Sequence, residues 1–204
     1  MFLNRPKRVF KSDMKQEAAF KQAKDSIRKE ILKFLRNQKE EDRLTKSLRI
    51  LKKLFALSEF KRATTVLFYA SFDGEVETFE MMKQAQRLGK RIALPIIETQ
   101  GRHIFPTIVN NLEKDLAFGP HGIKQPAYDK KLVLDLGEID VSIVPGVAFD
   151  ADNYRLGRGA GYYDRFLARL SQKTSCLGLA FDFQIVPSLP HQQHDVPVSR
   201  VIVN

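Results

Sequence analysis

Three glycines alternate with other residues in Leu156-Gly157-Arg158-Gly159-Ala160-Gly161-Tyr162-Tyr163-Asp164-Arg165, and this stretch constrains the fold most. Behind it Tyr163, Phe166, Leu167 and Leu170 recur at helical spacing. Glycine loses more backbone freedom on folding than any other residue, so three within five positions need a reason. One reason is a loop whose N–H groups approach an anion with no Cβ in the way, ahead of a helix whose N-terminal end is positive. Arg158 adds a planar, permanently charged donor suited to phosphate oxygens. The spacing is not that of a P-loop, nor of a dinucleotide-binding loop set directly after a strand, since it follows the polar turn Asp150-Ala151-Asp152-Asn153. On spacing alone, a glycine-rich turn before an amphipathic helix stands as the alternative.

The segments around this loop alternate between strand and helix. Phe20, Ala23, Ile27, Ile31 and Phe34 predict a long amphipathic helix from Asp13 to about Asn37. A second helix is expected from Asp42 to about Phe60, with Leu44, Leu48, Leu51 and Phe55 inward. Compact apolar runs at 64–70, 91–95, 141–145 and 175–181 read as buried strands. A helix from Thr78 to Leu88 is closed by Gly89, residues 102–108 form a short extra strand, and 198–203 form the last one. Such alternation predicts a single three-layer α/β domain over 13–204, a mainly parallel twisted sheet flanked by helices. Residues 1–12, basic and without apolar periodicity, are expected to be a mobile extension.

Charge narrows the function classes. Residues 1–62 hold 19 Lys+Arg against 8 Asp+Glu, whereas the whole chain has a net charge of +10. The excess lies on helices with an apolar stripe and little aromatic interleaving, so a solvated basic face that gathers polyanionic substrates is expected rather than nucleic-acid binding. No run is apolar enough for a membrane span and no secretory segment is visible, so the expectation is a cytoplasmic monomer without membrane association. The single cysteine, Cys176, is expected to be structural. His191 and His194 beside Asp195 have zinc-like residue types, but Pro187, Pro190 and Pro197 argue against a helix that would align both rings.

The longer string from Val144-Pro145-Gly146-Val147-Ala148-Phe149-Asp150 through Arg158-Gly159-Ala160-Gly161-Tyr162-Tyr163-Asp164 closely resembles the signature of the 5-formyltetrahydrofolate cyclo-ligase family. Lys24-Asp25-Ser26-Ile27-Arg28, Gly74-Glu75-Val76-Glu77-Thr78 and His194-Asp195-Val196-Pro197-Val198 resemble further elements of that family. Gly122-Ile123-Lys124-Gln125-Pro126 is similar to its G-I-x-E-P stretch, with Gln125 where many members carry glutamate. The resemblance implies ATP-driven cyclisation of 5-formyltetrahydrofolate to 5,10-methenyltetrahydrofolate, with Mg²⁺ as cofactor and ADP and phosphate as products. It assigns ATP to Lys24, Arg28 and the run Gly157, Arg158, Gly159, Ala160, Gly161, Tyr162, Tyr163, Asp164 and Arg165. Folate falls to Arg28, Glu75, Gly161, Tyr162 and Tyr163, and metal to Asp164 and Asp195. Arg158, Lys24 and Tyr162 are the expected catalytic groups. Two rival readings stay open: a relative acting on another formylated or carboxylated small molecule, and a binding protein that uses the basic helices.

Overall fold

The computed structural model describes the backbone of residues 7–119 and 122–204, with side chains from residue 18 onward in the same ranges. Helix α1 (Lys7–Asn37) is followed by α2 (Glu40–Ala56), α3 (Ser58–Arg62), strand β1 (Thr65–Leu67), α4 (Phe79–Arg87), β2 (Arg91–Glu98) and β3 (His103–Ile108). A small hairpin, β4 (Leu116–Phe118) with β5 (Lys124–Pro126), precedes β6 (Val141–Val144). The chain then forms a second hairpin from β7 (Ala148–Phe149) and β8 (Arg155–Leu156), helix α5 (Tyr162–Leu167), β9 (Ser175–Ala180) and β10 (Arg200–Val203). Residues 1–6, 120 and 121 lie outside the described residues. The rest of the segment expected to be mobile, 7–12, has helical backbone continuous with α1.

Six strands form the central sheet in the order β10-β9-β6-β1-β2-β3, all parallel except β3. Alternate residues of a strand point to opposite faces, and both faces here are apolar. Val66, Ile92, Leu94, Ile143, Leu177, Leu179 and Ile202 pack under α1–α4 with Ile31, Leu35, Leu54, Phe60 and Met82. Leu67, Ala93, Val144 and Ala180 face the other way, toward Phe149 and the α5 residues Phe166 and Leu167. This is the expected three-layer arrangement, but the second layer is thin: α5 spans six residues, and irregular chain at 134–139 and 196–198 covers the remainder. Gly178 and Gly146 fit this packing. A Cβ at either would come within 2.6 Å of the Phe149 ring.

Three helix expectations need correction. Leu44 and Leu48 are exposed, and α2 instead buries Ser47, Ile50, Leu51 and Leu54. Ser47 sets that rotation, since its hydroxyl donates to the Arg43 carbonyl at 2.8 Å and accepts from the Glu77 amide at 3.0 Å. The helix also stops at Ala56, because Leu57 is extended (φ −64°, ψ 137°) before α3 begins. On α1, Ala23 and Phe34 face solvent, while Lys24, Ile27, Arg28, Ile31 and Leu35 face the domain.

From β1 the chain goes to β2 on one side, and later crosses to β6 on the other side of β1. A crevice opens at the carboxyl ends of the strands flanking such a reversal, where ligands of open α/β sheets collect.

Candidate active site

A cavity of about 420 Å³ occupies that crevice. Tyr69 and Ala70 beyond β1, Pro95 and Ile97 of β2, and Pro145, Gly146 and Val147 beyond β6 form its largely apolar floor. Ile123, Lys124 and Gln125 of the β4–β5 hairpin form one wall, while Glu75 and residues 157–164 supply the polar side. Gln125 lines the cavity, and its Oε1 accepts from the Ile97 amide at 3.3 Å, docking the hairpin on β2.

The glycine loop is held by a turn that depends on Asp150. This buried carboxylate accepts from the amides of Asp152 (3.1 Å), Tyr154 (2.9 Å) and Leu189 (3.0 Å), folding 150–154 and returning the chain as β8. The loop follows, with Gly159 at φ 106° and Gly161 at φ 67°, left-handed conformations that strongly favour glycine. The amides of residues 157–160 donate to no protein acceptor among the described residues, so they are available to a ligand. Helix α5 is shorter than its apolar spacing suggests, which leaves anion binding to those amides and to side chains more than to a helix dipole.

Arg158 reaches across the cavity edge. Its Nη1 lies 2.9 Å from Asp73 Oδ2 and its Nη2 lies 3.2 Å from Glu75 Oε1, with the guanidinium 4.2 Å above the Phe72 ring. Asp73 is shared with Arg36 of α1 at 2.9 Å, and the hydrogen bond from Arg36 holds its carboxyl below the usual range. Glu75 behaves differently. Burial pushes its carboxyl from 4.5 up to about 7, against the opposing charge of Arg158. Glu77 faces elsewhere, accepting from the Phe79 amide at 2.7 Å at the start of α4. Gly74, at φ 83°, lets this segment approach α1 so closely that a Cβ would meet the Leu35 carbonyl at 2.0 Å.

Helix α1 brings two cations. Arg28 Nε donates to the Gly157 carbonyl at 2.9 Å, and Arg28 also pairs with Asp25. Lys24 Nζ lies 2.9 Å from Asp195 Oδ2. Burial raises the Asp195 carboxyl, but hydrogen bonds from Lys24 and the Gln192 amide hold it below its ordinary value on balance. Asp164 pairs with Arg155 at 2.8 Å. The side chain of Arg155 is only 2% exposed, and it also donates to the Val196 carbonyl at 2.6 Å, so it ties α5 to the segment carrying Asp195. Asp164 and Asp195 are hard oxygen donors of the kind Mg²⁺ takes, and Arg155 links their surroundings through Asp164 and the Val196 carbonyl next to Asp195. Groups of three or more His, Cys, Asp or Glu placed to hold a metal are absent among the described residues.

Tyr162 and Tyr163 both line the cavity. The Tyr163 hydroxyl is buried without a hydrogen-bond partner, and burial together with the charge of Glu75 pushes its pKa well up. Arg165 turns away, donating to the Ala160 carbonyl at 2.9 Å, and so clasps the loop from behind. His191 stacks on Tyr154 with ring centroids 3.8 Å apart, whereas the His194 side chain is largely exposed. Cys176 is half-buried, and burial raises its thiol to about 11. Among the described residues no helix is long and apolar enough to cross a membrane.

Arg155, Asp73, Arg36 and Phe72 have no individual role that is readable from the sequence alone. Arg155 stands inside the Arg155-Leu156-Gly157 motif, but only the fold shows that its guanidinium is buried against Asp164.

Comparison with known proteins places this geometry in a family. The model of the 5-formyltetrahydrofolate cyclo-ligase family matches residues 20–204. The mouse 5-formyltetrahydrofolate cyclo-ligase is 33% identical over 189 residues, covering 88% of this chain and 93% of that protein. The Escherichia coli K12 enzyme of the same name is 38% identical over 143 residues, 69% of this chain and 78% of its own. The solved structure of a 5,10-methenyltetrahydrofolate synthetase from Aquifex aeolicus superposes with a TM-score of 0.76 at 33% identity, over 88% of this chain and 89% of that one. With a conserved architecture under a near full-length match, the chain belongs to the 5-formyltetrahydrofolate cyclo-ligase family.

Proposed function

We propose that this protein uses ATP to close 5-formyltetrahydrofolate into 5,10-methenyltetrahydrofolate, releasing ADP and phosphate. The observation that carries the reading is the single cavity wall on which the glycine loop, Arg158, Glu75 and the tyrosine pair meet above an apolar floor. Family membership supports the same reaction.

The chemical difficulty is the formyl oxygen, a poor leaving group while the amide nitrogen donates into the carbonyl. Transfer of the γ-phosphoryl group to that oxygen makes it part of a phosphate leaving group. The N10 nitrogen then forms a bond to the formyl carbon, the C–O bond breaks, phosphate departs with the oxygen, and the N10 proton is lost. Phosphoryl transfer asks little covalent chemistry of a protein; it needs alignment and neutralisation of charge.

The amides of 157–161 cradle phosphate oxygens, and Gly159 and Gly161 give the loop its shape. Arg158 has five N–H donors, of which Asp73 and Glu75 occupy only some, so it can add a phosphate oxygen while keeping its orientation. Lys24 and Arg28 bring further positive charge from α1, and Arg165 braces the loop. Asp164 and Asp195 would hold Mg²⁺, which supplies charge neutralisation at the phosphates. The pterin lies on the apolar floor between Tyr162, Tyr163 and Glu75, whose carboxylate form accepts from substrate N–H groups. Charge at the cavity mouth and an apolar floor together keep water from the activated intermediate.

The test is ATP turnover with 5-formyltetrahydrofolate present or absent, followed as ADP and as methenyl product. The proposal predicts ADP formation only with that folate. Turnover with a different formylated compound alone, or with none, would contradict it.

A further inference from the structure

Among the described residues three cations line the cavity: Lys124, Arg155 and Arg158. The two arginines are engaged by carboxylates, Arg155 by Asp164 and Arg158 by Asp73 and Glu75. Lys124 is not. Among the described residues no carboxylate lies within ion-pair distance of it, and its ammonium is 5.5 Å from the Phe79 ring centroid and 5.9 Å from that of Phe118. The ammonium itself lies over those rings, which attract it through their π faces but accept no conventional hydrogen bond, so its N–H donors stay available to a ligand. The residue is exposed, so it stands at the mouth, whereas Glu75 is 7% exposed and belongs to the interior. It also projects from the β4–β5 hairpin, a different element from the loop that bears the phosphate amides.

We propose that Lys124 is a specificity-determining residue that receives a glutamate carboxylate of the folate substrate at the cavity mouth. The proposal rests on the folate reading given above. That substrate is chemically lopsided: flat, largely uncharged rings at one end and a glutamate with two carboxylates at the other. An ionised carboxylate left unpaired in the interior is strongly disfavoured, so the rings take the apolar floor and the glutamate takes the mouth. There a cation without a carboxylate partner meets it, and the exposed Phe118 ring offers an apolar surface to the benzoyl group that joins the two ends.

The experiment pairs a side-chain change with a ligand change. Lys124→Met keeps an unbranched side chain of similar length and removes the charge, and Lys124→Arg restores it. Both are assayed with 5-formyltetrahydrofolate and with its diamide, in which the two glutamate carboxylates are uncharged amides. For the natural substrate, Lys124→Met should raise KM about ten-fold, the size of one charge-assisted hydrogen bond, with kcat and the KM for ATP nearly unchanged and Lys124→Arg largely recovering it. With the diamide the wild type should show a similar rise in KM, and Lys124→Met should add nothing to it, as expected when both changes remove one interaction. Equal penalties of Lys124→Met on acid and diamide, no penalty on either, or a raised KM for ATP would each overturn the assignment. Failure of the wild type to turn over 5-formyltetrahydrofolate would instead overturn the folate reading itself, which separates the two outcomes.

Discussion

Arg158 Nη2 lies 3.2 Å from Glu75 Oε1, so the cation of the glycine loop and the buried acid of the cavity are joined directly. In the proposed reaction, phosphate and folate would therefore meet at this one pair. Arg158→Lys keeps the charge but loses the planar fork that can serve a carboxylate and a phosphate oxygen together. The expected outcome is a fall in kcat/KM for ATP of about ten- to a hundred-fold, the equivalent of one charge-assisted hydrogen bond. The ligand-free melting temperature should change little, because the arginine side chain is about a third exposed at 31%. Steady-state kinetics beside thermal melts with and without Mg-ATP check both halves.

Glu75 gives the fold a pH signature. Its carboxyl titrates at about 7 when folded and near 4.5 when freely solvated, so folding favours the protonated form. Stability from this group is fully present below about pH 4.5 and is lost as pH rises through about 7, a change on the order of 3 kcal/mol. Glu75→Gln should remove that slope and melt higher than wild type at pH 8, while raising the folate KM. Melting curves between pH 5 and 8 decide it, and parallel slopes for the two proteins would contradict the assignment.

The glycines of the loop are not equivalent. Gly159 sits at φ 106°, whereas Gly157 has no positive φ and nothing within 4 Å of a built Cβ. Gly159→Ala should cost about 1–2 kcal/mol of stability through backbone strain and weaken ATP binding. Gly157→Ala should melt within about 0.5 kcal/mol of wild type, as expected for a surface substitution. Calorimetric titration with ATP alongside chemical unfolding separates the two variants.

Much of this architecture is legible in the sequence. The apolar runs give the strands because both sheet faces are covered, and the spacing behind Gly161 gives a helix even though α5 is short. Legibility fails where a long-range contact decides. The apolar positions of α2 suggest that Leu44 and Leu48 turn inward, but the Ser47 latch to the Glu77 amide fixes another rotation. Likewise Lys24 and Arg28 are readable as one face of a helix, yet their partners, Asp195 and the Gly157 carbonyl, lie more than a hundred positions away. Asp73 carries no signal at all, since an aspartate before a glycine reads first as a turn residue.

The two candidate metal ligands differ in what they support. Asp164→Asn and Asp195→Asn should each raise the Mg²⁺ concentration needed for half-maximal turnover. Asp164→Asn should also lower stability by about 1–3 kcal/mol, because it weakens the only carboxylate contact, among the described residues, of a buried guanidinium. Asp195→Asn should cost less, since Lys24 is partly solvated and its pair is screened. Metal titrations of activity beside urea unfolding check the pattern, and an unchanged Mg²⁺ response in both variants would make the carboxylates structural.

In the proposed reaction the formyl oxygen leaves as part of phosphate. 5-Formyltetrahydrofolate labelled with ¹⁸O in the formyl group, turned over with unlabelled ATP in unlabelled water, tests it by mass analysis of the products. The account predicts one ¹⁸O in each inorganic phosphate released and none in ADP. Formation of methenyl product with unlabelled phosphate would contradict it.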